Sequence, residues 1–170
     1  MRISLTTLQA TGMGFFGLYG STAALATTLT LANVVNCIGI GFQRGTHTRW
    51  QLVANDGTGA PTLNDMGANF GIATGGVLTL FIAAPSNGTS VWVRVVDEVS
   101  GAVFEQEITA DLPANTQFLS PRLFMNTGAT AAAVAYDCSG ATWRPIFEHR
   151  RNDQTTQAVA PVERSFILCA

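Results

Sequence analysis

GVLTLFIAA (76–84), TSVWVRVVD (89–97), AVFEQEIT (102–109), QFLSPRLFM (117–125) and AAAVAYDC (131–138) follow one another with only short connections between them. The runs have strand length, and most are rich in β-branched or aromatic residues, with Gly, Pro, Asn and Asp in the gaps. In TSVWVRVVD the period is two: Val91, Val93 and Val95 point one way, Trp92 and Arg94 the other. On that second face a guanidinium can stack on an indole. AVFEQEIT returns as the partner strand. Val103, Glu105 and Glu107 share one face, which must look to solvent, so Arg94 is placed to pair with a glutamate across the ladder. GVLTLFIAA is apolar on both sides, with Leu78, Leu80 and Ile82 on one and Val77 and Phe81 on the other. That pattern fits a central strand or one covered by another subunit. Pro121 marks an edge or a bulge.

Working back towards the N-terminus, RISLTTL (2–8) alternates as a first strand, and GMGFFGLYG (12–20) sets aromatics between glycines. In a helix each of those glycines would be unfavourable by roughly 0.5–1 kcal/mol, so a strand with close backbone packing is expected. STAALATTLTLANV (21–34) is ambiguous. Ser21 and the alanines favour helix, the threonines oppose it, and a short helical turn followed by a loop is the expectation. NCIGIGFQ (36–43) places Ile38, Ile40 and Phe42 opposite Cys37, Gly39 and Gly41. RWQLVA (49–54) follows within hairpin reach. Asn55-Asp56-Gly57 is then a strong turn signal, and Pro61 makes PTLNDMG an edge strand. Adding ATWRPIF (141–147) gives nine or ten strands at intervals of 8–12 residues. The predicted fold is all-β: an antiparallel sandwich or jelly roll over 1–145 with a C-terminal arm over 146–170.

The composition narrows the function. Apolar residues are 47% and charged residues 12%, about half the usual charged share of a soluble domain. All nine cations are arginine, for which a GC-rich genome is an alternative explanation. A surface with so few charges is easily desolvated, which suits packing against copies of the chain or a partner. The net charge is −2 with no basic stripe, so no nucleic-acid partner is expected. No 18-residue apolar run predicts a membrane span, and no signal peptide is evident.

Cys37, Cys138 and Cys169 are odd in number and widely spaced, without a metal-binding pattern, and read as free thiols rather than a disulfide. No metal site and no cofactor is expected. His47 and His149 read as solvated loop residues. Asp56, Asp65, Asp97, Glu105, Glu107 and Asp111 lie near turns that account for an Asp through backbone bonding, and a glycosidase pair would need two acids across a cleft. With no nucleophile or phosphate motif either, no catalytic residue is assigned and the chain is expected not to be an enzyme.

Trp50, Trp92 and Trp143 are the candidate sugar platforms. Trp50 lies near the NDG turn, so Trp50, Asn55 and Asp56 form the carbohydrate-binding candidate, against the plainer reading of Trp50 as sheet packing. After Arg144 the sequence turns polar, then ends apolar at Phe166, Ile167 and Leu168. These three either fold back on the core or dock on a neighbour, and the linker-like stretch before them favours docking.

Several phrases carry a resemblance: WQLVANDGTG from Trp50 to Gly59, APSNGTSV ending at Val91, DLPANT from Asp111 to Thr116, and NTGATAAAV from Asn126 to Val134. Together, over about residues 15–140, the chain resembles a β-sandwich domain of tailed-bacteriophage virion proteins, including tail fibres, spikes and head or tail appendages. The resemblance implies a lectin-like jelly roll, a homotrimer, a location in the virion, and partners among major capsid or tail proteins, with a host surface glycan as the alternative ligand. The family's closing acidic phrase is replaced here by Ala141-Thr142-Trp143-Arg144-Pro145, and the arm beyond lies outside the resemblance. With no shaft ahead of the first strand, a capsid-decoration protein or short tail appendage is expected.

Overall fold

A computed structural model describes residues 1–21, 25–85, 89–128 and 132–142, together with the backbone of Ser165–Phe166. Ten strands form two five-stranded antiparallel sheets. They are β1 (Arg2–Thr7), β2 (Met13–Tyr19), β3 (Cys37–Gln43), β4 (Gln51–Asn55), β5 (Thr62–Asp65), β6 (Val77–Ala83), β7 (Val91–Asp97), β8 (Val103–Ile108), β9 (Ser120–Asn126) and β10 (Ala135–Ser139). The first sheet runs β10-β1-β6-β7-β8 and the second β5-β4-β3-β2-β9. Two meanders, β2 to β5 and β6 to β8, make up most of the structure, and the chain changes sheet at β1–β2, β5–β6, β8–β9 and β9–β10. The all-β sandwich read from the alternation is the observed architecture. Pro121 does sit on an edge strand, because among the described residues β9 pairs only with β2. β5 is the other edge of that sheet, as Pro61 predicted.

The core lies between the sheets. Ile3 and Leu5 of β1, Leu78 and Leu80 of β6, and Val91, Val93 and Val95 of β7 meet Phe16, Ile38, Ile40, Phe42 and Leu52 of the second sheet. Phe16 joins the two layers, its ring standing edge-on to Tyr136 of β10 at 5.3 Å. Each large side chain removed from water in this way stabilises the fold by about 1.5–3 kcal/mol.

A second, smaller cluster lies on the outer face of the second sheet. Met13, Phe15, Tyr19, Cys37 and Val53 project there, and the 25–34 segment covers them with Leu31 and Val34. The segment is tied down by polar bonds: the Leu31 N–H donates to the Gln43 side chain at 3.0 Å, and the Asn126 amide donates to the Leu29 carbonyl at 2.9 Å. Residues 22–24, on which the expected helical turn falls, lie outside the described residues; one 3₁₀ turn, Leu31–Asn33, comes at the end of the segment. Thr27 and Thr28 lie in a turn closed by the Leu29 N–H donating to the Ala26 carbonyl at 3.0 Å, and Leu31 supplies the buried anchor. The second sheet is thus buried on both faces, and β2, β3 and β4 are almost wholly buried. Among the described residues the first sheet is buried on one face only: β7 alternates buried and exposed along Val91 to Val95.

Beyond β10, β11 (Ala141–Thr142) pairs antiparallel with β12 (Ser165–Phe166) of the same chain. Trp143, His149, Cys169, Ile167 and Leu168 lie outside the described residues, as does most of the 146–170 arm and the Ser86–Gly88 part of the turn after β6. At Phe166 the backbone returns to its own chain, opposite Ala141.

Candidate functional site

The sequence-predicted carbohydrate residues do not share a surface. Trp50 is 3% exposed. Its indole stands edge-on to Phe42 at 4.9 Å and tilted against Phe16 at 5.8 Å, so both faces of the ring are in the core. It is the sheet-packing residue of the plainer reading, with no face for a sugar. Asn55 lies at the far end of β4, about 16 Å along the strand, and is fully buried. Its carbonyl oxygen accepts the N–H groups of Gly57 at 2.7 Å and Asn36 at 3.1 Å, while its amide donates to the carbonyls of Thr58 and Gly59. Only Asp56 is exposed, and its carboxylate accepts both the N–H and the hydroxyl of Thr58. Those bonds hold its pKa below the ordinary carboxylate value.

The same turn is held from a distance by Asp111. Its two carboxylate oxygens accept the N–H groups of Asp56 at 3.1 Å and Thr62 at 2.8 Å. The residue takes a positive φ of 57° to reach them. The NDGTG and DLPANT phrases are therefore one structural unit, a built loop rather than an open binding site.

The described thiols are structural. Cys37 and Cys138 lie on different sheets and are not joined in a disulfide, in line with the sequence reading. Burial, with Asp111 adding to it, pushes the Cys37 thiol up to about 12. At about pH 8 it stays protonated and shielded. Alkylation of the native protein followed by peptide mapping should leave Cys37 unmodified until denaturant is added. Labelling in the native state would contradict this.

His47 is half-buried, and its Nδ1 accepts the Gln43 N–H at 3.3 Å. Burial lowers its pKa below the ordinary 6.5, partly opposed by Asp65. The neutral ring is thus the folded form. Below 6.5 the unfolded chain takes up a proton that the folded chain resists, so this contribution is present at neutral pH and is lost as pH falls through the folded pKa. Thermal melts should show stability falling from pH 7 towards pH 5, with a shallower fall in His47→Gln. Equal slopes would rule out the His47 contribution.

What remains open is the outer face of β6, β7 and β8. Register sets its rows: Ala83, Trp92 and Glu107 in one, and Phe81, Arg94 and Glu105 in the next. Trp92 is 52% and Phe81 53% exposed. Arg94 Nε lies 3.3 Å from Glu105 Oε1, the cross-strand pair expected from the alternation. Phe81, Ala83, Trp92, Arg94 and Glu105 are among the residues that line a shallow cleft of about 420 Å³, with Ala83 directly across from Trp92. Trp92 was legible in the sequence as outward-facing. Phe81 was not assigned to a site, because β6 is apolar on both sides and nothing local says which side is covered. Among the described residues no group of three His, Cys, Asp or Glu is placed to hold a metal ion, and no helix is long and apolar enough to cross a membrane.

Fold and site together define an all-β, two-sheet sandwich with one covered and one open outer face. No family model, curated protein or solved structure matches the chain.

Proposed function

We propose that this chain is a non-enzymatic structural protein of a tailed-bacteriophage particle, a β-sandwich that self-associates as a homotrimer and decorates the head or forms part of a tail appendage. The resemblance of its phrases supplies the setting. The observation that carries self-association is Phe118, which is 92% exposed. It precedes β9, the open edge of the second sheet. Its exposure is built in: the neighbouring Gln117 side chain donates to the carbonyls of Gly20 and Phe118, both at 3.0 Å, fixing the loop. An aromatic ring held in water beside a strand edge that no described residue pairs, on a charge-poor surface, suits burial against a second chain.

Light scattering should give the mass of three 17.9 kDa chains. Phe118→Asp should shift the mass towards one chain while leaving the melt unchanged. A monomer at every concentration would overturn self-association. Mass spectrometry of purified phage particles should recover peptides of the chain, and their absence would remove the virion setting.

A further inference from the structure

We infer that the outer face of β6–β7–β8 is a binding platform for a neutral saccharide, stacked on Trp92 and Phe81. Three observations carry this. First, the aromatic rings are diagonal neighbours, because Phe81 opposes Arg94 while Trp92 opposes Ala83. Such positions lie roughly 7–8 Å apart, near enough to underlie successive rings of one oligosaccharide. The small Ala83 beside Trp92 keeps the indole open, and the C–H faces of a sugar match the negative face of the rings.

Second, the polar groups are those a sugar rim needs. Arg94 supplies donors, and Glu105 and Glu107 supply acceptors, all on the same outward face. The Arg94–Glu105 pair places the guanidinium beside a carboxylate on this face, so donor and acceptor sit together at the rim. The backbone beneath is a sheet whose other face is core, which makes the platform rigid.

Third, the charges select the ligand class. One arginine against two glutamates gives the patch a formal charge of −1. That disfavours nucleic acid and acidic polysaccharides. It also argues against a second copy of the chain, because face-to-face burial would desolvate an ion pair and a further carboxylate at the centre of the contact. Saccharide hydroxyls bond to those groups instead. The platform is separate from Phe118, so it stands independently of self-association.

Affinity electrophoresis of the whole chain through gels carrying laminarin, hydroxyethylcellulose, galactomannan or dextran tests this, with alginate as the acidic comparison. Retardation is expected on at least one neutral polymer and not on alginate. Trp92→Ala and Phe81→Ala should weaken it at least tenfold with unchanged melts, Trp92→Phe should retain most of it, and Phe118→Asp should leave it intact. Absence of retardation on every neutral polymer would overturn the platform, as would binding indifferent to Trp92→Ala and Phe81→Ala. A fall in solution mass caused by Trp92→Ala would likewise overturn it, by making this face an interface between copies.

Discussion

Gly17→Ala should destabilise the protein by about 3 kcal/mol or more, although it adds a single methyl group to a strand. Gly17 of β2 lies opposite Gly39 of β3. A Cβ at position 17 would sit 2.4 Å from the Ile38 carbonyl oxygen and 2.5 Å from the Gly39 Cα. These are backbone atoms of the paired strand, and they cannot turn aside as a side chain could. Gly39→Ala meets the same obstacle from the other direction, 2.4 Å from the Phe16 carbonyl oxygen. The rings of Phe15 and Tyr19, four residues apart on the strand, approach to 6.0 Å and so lean together over Gly17. β2 pairs on both sides, with β3 and β9, so a shift there disturbs two ladders. Gly76→Ala is the control, since no atom of the described residues lies within 4 Å of its added carbon. Denaturant midpoints should separate the two variants clearly. A Gly17→Ala protein within about 0.5 kcal/mol of wild type would show that the strands can part without loss.

Asn55→Ala should cost about 3 kcal/mol, for a reason unrelated to any ligand. The side chain is fully buried and joins two N–H donors and two carbonyl acceptors around the NDGTG turn. Alanine leaves those groups without partners at the end of a buried strand. Asn55→Asp keeps the acceptor and loses the donor, so it should also destabilise. Asp56→Ala removes only exposed bonds to Thr58 and should have a much smaller effect. Equal melting temperatures for Asn55→Ala and wild type would contradict the structural role. Loss of any binding activity in an Asn55 variant has meaning only beside its melt.

The parts of the fold that depend on a local period were legible in the sequence. Val91, Val93 and Val95 against Trp92 and Arg94 gave the buried and open faces of β7 directly, and the glutamates of β8 fixed its direction and the Arg94 pair. Prolines 61 and 121 marked both edges of the second sheet. What escaped were features set by distant segments. Trp50 is a surface candidate until Phe16 and Phe42 are folded onto it. Asp111 looks like an ordinary turn residue until it is found bonding residues 55 and 49 positions earlier. The 25–34 segment has no regular period because it serves as a cover, contributing Leu31 and Val34 rather than a paired strand or a long helix.

The difference between the two outer faces has a consequence for how the protein can change. Beneath the 25–34 cover, every outward position of β2 and β3 is committed to packing, and substitutions there are constrained by volume. On β6, β7 and β8, outward positions such as 81, 83, 92, 94, 105 and 107 contribute side chains to water, while alternate positions hold the core. Surface substitutions of that kind usually shift stability by less than about 0.5 kcal/mol. The molecule thus divides into a conservative half that keeps the shape and a permissive half whose surface chemistry can drift from one variant to the next. A library randomised at those six positions should yield mostly folded proteins.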